Sequence, residues 1–424
     1  MFSVFPDPVR EAIRISDFEN FIEGDFRMIS QRARNLVPSA TIEFSARVAA
    51  LRRQGERIIG MNVGEPDFPP SDNVRLAVVR AVTEGDGHSK YDVTAGLISL
   101  REGICAKLLR DNGVEYSPTQ ICVGNGAKQA LQNTLFALID PGDEVITPSP
   151  CWVSYAEMVK LAGGVPVLAP MSYENGYALD VPKIAEYVTP KTKAILICDP
   201  QNPTGAVYTE KDLRELAELA IEKDIYVLSD EIYEKLVFGV KHVSIASFGE
   251  EIRKRTVIVN GFSKAYAMPG WRLGYTAAPA DVAKAINSIQ GHASSHTSLL
   301  SQFAGLEAIT GPQDSVEAMR KEYQLRRDIS YEALSAMDGV RLRKPDGAFY
   351  LFPNVEGLYG KSCGKYTINS AKDLAEYILD EAKVAVVFGE AFFGPGCIRI
   401  SYTSSTPEVK EAMERIGNVV AALK

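Results

Sequence analysis

The stretch AILICDPQNPTG, residues 194–205, joins a fully apolar run to a polar loop rich in proline and glycine. An apolar run of this length, bounded by turn residues, predicts a strand that is buried on both faces. Strands of this kind belong to parallel sheets that helices cover on both sides. The polar loop then lies beyond the carboxyl end of its strand, where open α/β sheets bind their ligands.

Similar apolar runs recur on both sides of this stretch, and helical patterns separate several of them. Apolar positions spaced for one helix face predict helices over 126–139 and 210–223. This alternation predicts an α/β fold whose mostly parallel, seven-stranded sheet is sandwiched by helices. The predicted strands are 121–123, 144–147, 165–169, 194–198, 226–229, 256–260 and 274–278.

The pattern changes after residue 311 and predicts a smaller α+β domain. A long charged helix is expected over 314–337, and a last helix begins near Pro407. Between them we predict strands at 340–343, 349–352, 384–387 and 397–401, and a helix over 370–381. We therefore divide the chain into an N-terminal extension (1–27), an arm with part of the small domain (28–69), a large domain (70–312) and a small C-terminal domain (313–424).

Composition excludes several classes of protein. Apolar residues make up 46% and charged residues 24% of the chain, which is close to the globular average and argues against disorder. The net charge of −8, with both signs interspersed, leaves no basic stripe for nucleic acid. No apolar run is long enough to span a membrane, and residues 1–27 resemble neither a signal nor a transit peptide. The six cysteines lack metal-ligand spacing, so we expect reduced thiols in a cytoplasmic protein.

Four polar clusters follow predicted strands, and each has an ordinary explanation when taken alone. The loop at 124–128 (GNGAK) is either a phosphate cradle at a helix N-terminus or a tight turn. Residues 202–205 (NPTG) fit a β-turn, and Asp230 fits a helix N-cap. Lys264, in the fourth cluster at 261–264 (GFSK), fits a solvated lysine. Because all four share one edge of the predicted sheet, their coincidence points to a single site.

Taken together and in order, these clusters resemble the class I (fold type I) aminotransferases that use pyridoxal 5'-phosphate. The closest pattern is the prokaryotic-type aspartate aminotransferase subgroup, and the resemblance runs from about Ile29 to the C-terminus. Its motifs in this chain are PSAT (38–41), GEPDF (64–68), KY (90–91), PGDEV (141–145), PCWVSY (150–155), NPTG (202–205), SDEIY (229–233), SKAY (263–266), GWRLG (270–274), GAFY (347–350) and IRISY (398–402).

The resemblance implies a role for each residue around the cofactor. It makes Lys264 the lysine that binds the cofactor's aldehyde and later moves the substrate proton. Asp230 pairs with the ring nitrogen, and Trp152 stacks on the ring. Tyr233 and Asn202 hydrogen-bond the phenolate oxygen. The phosphate ligands implied are Gly126, Ala127, Lys128, Ser263, Arg272 and, from the other subunit of a homodimer, Tyr91.

The resemblance also implies how a substrate is held. Arg399 binds the α-carboxylate, with Asn202 and the Gly64 backbone assisting. The loop at 291–296 lacks the arginine with which other aspartate aminotransferases bind the distal carboxylate, so Lys128 is the candidate for that role. Its alternative is a surface lysine at a helix N-terminus. The expected reaction is L-aspartate plus 2-oxoglutarate giving oxaloacetate plus L-glutamate.

Several alternatives stay open. Aromatic, prephenate or alanine aminotransferases share this pattern, although Val37 stands where prephenate-accepting relatives carry a basic residue. β-Lyases and aminocyclopropane-type synthases share the fold. An aminotransferase-like regulator is disfavoured because residues 1–27 are too short and too acidic for a DNA-binding domain. Family members often carry a hydroxyl phosphate ligand three positions before the lysine, where this chain has Gly261.

Two further expectations concern regions away from this pattern. His292 and His296 lie four residues apart and fit one helix face, but two histidines alone do not make a metal site, and we expect no metal. The extension at 1–27 contains five phenylalanines and is too apolar for a disordered tail. We expect part of it to pack, on the partner subunit of the dimer.

Overall fold

A computed structural model describes residues 29–36, 40–84 and 88–424, the side chains of 40–43 excepted. Residues 1–27 and Val37 therefore lie outside the described residues. The strands are β1 (Ile59–Gly60), β2 (Ile121–Gly124), β3 (Glu144–Ser149), β4 (Val165–Pro170), β5 (Thr192–Cys198), β6 (Tyr226–Asp230), β7 (Thr256–Gly261), β8 (Gly274–Ala277), β9 (Tyr350–Leu351), β10 (Ser362–Cys363), β11 (Tyr366–Thr367), β12 (Val384–Ala385), β13 (Val387–Phe388) and β14 (Ile398–Ser401).

Helices connect and cover these strands. They are α1 (Gln31–Arg34), α2 (Ala40–Arg53), α3 (Asp72–Glu84), α4 (Ile98–Lys107), α5 (Ala127–Leu138), α6 (Ser154–Ala162), α7 (Val181–Ala185), α8 (Glu210–Lys223), α9 (Glu250–Arg253), α10 (Ala280–Ala293), α11 (Leu299–Thr310), α12 (Asp314–Ser335), α13 (Ala371–Tyr377) and α14 (Thr406–Ala421). Residues 29–36 form a separate unit, in which Ser30 accepts a hydrogen bond from the Ala33 amide and so caps α1. None of the described helices is both long and apolar enough to cross a membrane.

The central sheet has seven strands in the order β2-β8-β7-β6-β5-β3-β4. Only β8 runs antiparallel to its neighbours, so six strands end at the same edge. Helices cover both faces of β5: Ile195 and Ile197 pack with Leu213 of α8, whereas Leu196 packs with Leu131 of α5. The α/β sandwich predicted from the sequence is confirmed.

A smaller antiparallel sheet, in the order β13-β14-β9, is built from the last third of the chain. Next to it, β12 pairs in parallel with β1, whose residues come more than 300 positions earlier in the sequence. The Ser401 amide also donates to the Met61 carbonyl at 2.8 Å. The segment around residue 60 is thereby fixed against the C-terminal strands, although the predicted domain boundaries themselves stay a prediction.

Three predicted elements of the C-terminal part differ from the structure. The strand predicted at 340–343 is wrong: only Arg341 pairs, in a single bridge to Asn354, because β9 ends at Leu351 and leaves no strand for longer pairing. The strand predicted at 384–387 is two short strands, β12 and β13, in different sheets. The helix predicted over 370–381 is α-helical only to Tyr377 and continues as a π-helix over Ile378–Ala382.

Candidate active site

A cavity of about 460 Å³ opens at the edge where the parallel strands end. The sequence-predicted site residues all line it except Gly126 and Tyr91. They reach it from successive strand ends: Asp230 closes β6, Asn202 follows β5, and Lys264 follows β7. The parallel sheet therefore brings together residues that are far apart in the sequence.

Lys264 is half-buried and lines the cavity. Its Nζ donates to the carbonyl oxygen of Gly64 at 2.5 Å and lies 5.8 Å from the centroid of the Tyr233 ring. Burial, with a contribution from the Arg399 cation, lowers the pKa of Lys264 to about 8. The amine is thus far more often neutral near pH 8 than a solvated lysine, which is what a nucleophilic lysine requires.

Asp230 is a buried carboxylate with two donors in the protein. The Tyr155 hydroxyl donates to one oxygen at 2.7 Å, and the Ile232 amide donates to the other at 3.3 Å. Burial raises the pKa of Asp230 to about 6, although the bond from Tyr155 opposes that shift. A carboxylate held in this way is suited to bind a positively charged N–H group in the cavity.

The N-terminus of α5 forms a cradle for an anion. Gly126 begins the helix with a φ of 84°, and Arg272 lies so close that a Cβ on Gly126 would come within 2.6 Å of its guanidinium. The Arg272 guanidinium donates to the Pro269 carbonyl at 2.9 Å and has no carboxylate partner among the described residues. Free helix N–H groups beside an unpaired arginine make a phosphate site.

Gly274 allows the cradle to approach the sheet. It pairs with Gly124 on one side and Gly261 on the other. A Cβ on Gly274 would come within 2.3 Å of the Ala127 amide nitrogen, and one on Gly261 would come within 3.0 Å of the Leu273 carbonyl. The backbone is therefore closely packed at Gly261, the position where family members often carry a hydroxyl. In this chain the side chain of Ser263 supplies a hydroxyl to the cavity.

Arg399 forms a second cationic position in the cavity. It is buried, and it donates to the Asn62 carbonyl at 2.7 Å and to the Asn202 side-chain oxygen at 3.1 Å. The rings of Tyr350 and Phe392 lie 4.6 and 4.4 Å from its guanidinium carbon. Its Nε has no partner in the part of the chain that the structure describes. The guanidinium therefore keeps donor capacity for a carboxylate.

Lys128, the fourth cation of the cavity, lies with its Nζ 4.6 Å from the Trp152 ring centroid. Burial and the Arg272 charge lower the pKa of Lys128. The side chain is exposed and lines the cavity, and no carboxylate among the described residues pairs with it, so its substrate role and the surface alternative both stay predictions. Its ammonium is available to an anionic ligand.

Other predicted residues do not reach the cavity. Tyr91 is 91% exposed, and its ring lies 6.0 Å from that of His296. His292 lies in α10, but His296 follows the end of that helix, so the shared helix face predicted for the two histidines is wrong.

Sequence reasoning missed several residues that shape the site. Tyr155 holds Asp230, and the Tyr350 hydroxyl lies 2.8 Å from that of Tyr233. Asn62 holds Arg399 through its carbonyl, and its side chain donates to Ser45 at 3.1 Å. Tyr155 and Tyr350 stand inside recognised motifs, but which buried groups they contact depends on long-range packing that the motifs do not reveal.

Comparison with known proteins gives consistent matches over almost the whole chain. The profile of the family described as "Aminotransferase class I and II" matches residues 56–416. An aspartate aminotransferase from Bacillus sp. (strain YM-2) is 42% identical over 93% of this chain and 99% of its own length. A probable aspartate/prephenate aminotransferase from Aquifex aeolicus is 43% identical over 92% and 97%. The solved structure of an aspartate aminotransferase from Rhizobium meliloti has a TM-score of 0.90 at 38% identity, covering 93% and 99%. That of the Thermus thermophilus enzyme with maleate has a TM-score of 0.87 at 39% identity, covering 92% and 99%.

The chain belongs to the class I and II aminotransferases, enzymes that exchange an amino group between an amino acid and a 2-oxo acid. It resembles in particular the aspartate aminotransferases within that family, and their cofactor is pyridoxal 5'-phosphate. The residues present fit this cofactor, because the cavity joins a lysine of lowered pKa, a buried carboxylate and an anion cradle that a side chain on Gly126 would obstruct.

Proposed function

We propose that this enzyme transfers the amino group of L-aspartate to 2-oxoglutarate, giving oxaloacetate and L-glutamate. The observation that carries the proposal is the charge of the cavity. Lys128, Lys264, Arg272 and Arg399 line it, whereas Asp230 is the only acidic residue among its described lining. An excess of cations in a partly buried cavity favours ligands with several negative charges.

The cations divide between cofactor and substrate. When bound, pyridoxal phosphate supplies an electron sink that acidifies the substrate's Cα–H. In our proposal Lys264 holds its aldehyde and then carries the Cα proton, while Asp230 keeps its ring nitrogen protonated. Trp152 stacks on its ring. The phosphate ligands that we propose are Gly126, Ala127, Ser263, Arg272 and the partner subunit's Tyr91.

Two cations are then left for the substrate, which fits an amino acid with two carboxylates. Arg399 binds the α-carboxylate with its unpartnered Nε and its terminal nitrogens, assisted by Asn202 and Gly64. Tyr233 and Asn202 contact the cofactor's phenolate oxygen. Lys128 binds the distal carboxylate. The relative from Thermus thermophilus was solved with maleate, itself a four-carbon dicarboxylate, which supports this assignment.

Prephenate is a second candidate amino acceptor. The Aquifex aeolicus relative carries the name aspartate/prephenate aminotransferase, and prephenate also has two carboxylates that two cations could bind. We therefore propose that both oxo acids be assayed with aspartate as donor. Formation of oxaloacetate with 2-oxoglutarate supports the first candidate, and formation with prephenate supports the second.

The decisive experiment replaces Lys128 with alanine. Removing the cation proposed to bind the distal carboxylate should lower kcat/KM for aspartate about tenfold, which corresponds to about 1.4 kcal/mol, mainly through KM. Alanine as amino donor, which has no distal carboxylate, should change little. Lys284→Ala, on the exposed side of α10, is the control and should leave both substrates unchanged.

Other outcomes of this experiment would contradict the assignment. An equal loss for aspartate and alanine would place Lys128 at the cofactor phosphate instead. Wild-type kinetics in Lys128→Ala would exclude it from the site. If the unmodified enzyme does not use aspartate at all, the proposed substrate is wrong, although the family assignment is unaffected.

A further inference from the structure

Tyr350 has no assigned role, yet its hydroxyl lies at the centre of the cavity. It is 1% exposed and belongs to β9, which pairs with the strand that carries Arg399. Its hydroxyl oxygen lies 2.8 Å from that of Tyr233, and the two rings meet edge-on at 78°. A Cβ on Gly64 would come within 2.0 Å of the same hydroxyl. The close approach of Gly64 and the contact with Tyr233 therefore fix the position of the Tyr350 hydroxyl.

The two hydroxyls share one hydrogen bond, and either can donate. A phenol carries one proton, so it donates once and accepts through its oxygen. If Tyr233 turns its proton to the cofactor's phenolate oxygen, it has none left for Tyr350. The contact between the tyrosines then persists only with Tyr350 as the donor and Tyr233 as the acceptor.

We propose that Tyr350 is a positioning residue that donates to Tyr233 and so fixes the direction of the Tyr233 hydroxyl toward the cofactor. This inference rests on the proposed role of Tyr233. A phenol that accepts one hydrogen bond becomes a stronger donor in the next, because hydrogen bonds in a chain polarise one another. Tyr350 thereby strengthens the bond from Tyr233 to the phenolate oxygen without touching the cofactor's reacting atoms.

Tyr350→Phe tests the proposal, because it removes the hydroxyl and keeps the ring that packs on Arg399. The readout is the visible absorbance of the substrate-free holoenzyme as a function of pH, which reports the proton on the Lys264 nitrogen bound to the cofactor. A weaker bond from Tyr233 leaves more negative charge on the phenolate oxygen, which holds that proton more tightly. The midpoint should therefore rise by about 0.5 to 1 pH unit, as expected for a hydrogen bond of about 1 kcal/mol.

A double-mutant cycle separates this role from general packing. Tyr233→Phe should raise the midpoint further than Tyr350→Phe, and adding Tyr350→Phe to Tyr233→Phe should cause no further change. Tyr402→Phe is the matched control: Tyr402 is also fully buried, but among the described residues its hydroxyl donates only to the Ala348 carbonyl, at 3.4 Å. Its midpoint should equal that of the unmodified enzyme.

Three results would overturn the proposal. The first is an unchanged midpoint in Tyr350→Phe. The second is a midpoint shift from Tyr350→Phe that is equally large in the unmodified enzyme and in Tyr233→Phe. The third is a midpoint shift in Tyr402→Phe as large as that in Tyr350→Phe. Failure of the proposed function looks different: an enzyme that does not use aspartate would still show the titrating band, and a wrong role for Lys264 would appear as a band that Lys264→Ala retains.

Discussion

Lys264 differs from a surface lysine in two ways: it is half-buried in the cavity, and the positive charge of Arg399 acts on its amine. Burial and Arg399 together lower the pKa of its amine to about 8. Since only the neutral amine attacks an aldehyde, the rate at which apoenzyme recombines with pyridoxal phosphate should rise with pH to a plateau.

We expect the midpoint of this rise near pH 8, rather than near the usual lysine value of about 10.4. Stopped-flow absorbance of the covalently bound cofactor measures the rate, and Lys264→Ala, which cannot form the bond, supplies the blank. A rate that is still increasing between pH 9 and 10 would contradict the lowered pKa of Lys264.

Asp199 and His242 are two buried titratable residues outside the cavity lining. Asp199 lies three residues before Asn202 in the chain. Asp199 Oδ2 and His242 Nε2 are 3.5 Å apart, and neither has a hydrogen-bond partner among the described residues. Burial raises the pKa of Asp199 to about 7 and lowers the pKa of His242 to about 4. Between about pH 4 and 7 the folded protein therefore holds a proton on Asp199 that the unfolded chain has released. Through Asp199, stability falls as pH rises over that range.

Asp199→Asn should remove this pH dependence. Asparagine does not ionise, and its side-chain oxygen can still accept the hydrogen bond from the Tyr208 amide, which is 2.9 Å long in the unmodified protein. Relative to the unmodified protein, we expect the variant to gain about 3 kcal/mol in free energy of unfolding as the pH rises from 5 to 8. Urea denaturation at pH 5 and pH 8 measures the difference. A gain that is equal at both pH values would show that Asp199 does not titrate in this range.

At the scale of secondary-structure elements, the neighbouring strands β2, β8 and β7 each contribute one glycine to a single row: Gly124, Gly274 and Gly261. This row lets the N-terminus of α5, which forms the anion cradle, pack closely on the sheet. Gly274→Ala would bring a methyl group within 2.3 Å of the Ala127 amide nitrogen, so α5 must shift. We expect the affinity for pyridoxal phosphate to fall at least tenfold, measured by titration of the apoenzyme. Gly270→Ala is the control, because nothing lies within 4 Å of the new methyl group, and its affinity should stay unchanged. Equal affinities in the two variants would contradict this account.

The sequence predicted the central sheet well because its strands are mainly apolar and several of them end at polar loops. The strand predicted around Arg341 failed for the opposite reason, since alternation alone does not tell whether a partner strand continues beyond one residue pair. The cavity residues were predicted through the motifs. The donors Tyr155 and Tyr350 were missed as site residues, because hydrogen bonds between residues 75 and 117 positions apart depend on the finished fold.

At the scale of the whole molecule, an exposed apolar surface supports the proposed homodimer. On α3, Leu76, Val79 and Val82 are all more than half exposed, three residues apart, and the exposed Tyr91 follows in the chain. Exposed apolar residues at this spacing form a stripe that favours burial against another molecule. Light scattering should therefore give about twice the chain mass of 46.3 kDa.

Hybrid dimers test whether the sites are shared. Lys264→Ala and Tyr91→Ala should each impair the enzyme, because each removes a residue from both sites of its homodimer. A dimer with one chain of each kind has one site with both residues intact, so mixing the unfolded variants and refolding them should restore up to half of the activity per hybrid. Activity that stays at the level of the separate variants would contradict a shared site, and a fully active monomer would contradict the dimer.

The bond from Arg399 to the Asn62 carbonyl joins residues 337 positions apart. Ribosomes add about 5 to 20 residues per second, so roughly 20 to 70 seconds pass between synthesis of the two residues. The central sheet can form during this interval, since its last strand ends at Ala277. The position proposed to bind the substrate's α-carboxylate cannot form before β14 leaves the ribosome exit tunnel. A nascent chain stalled after the central sheet but before that point should therefore bind pyridoxal phosphate without showing affinity for a dicarboxylate.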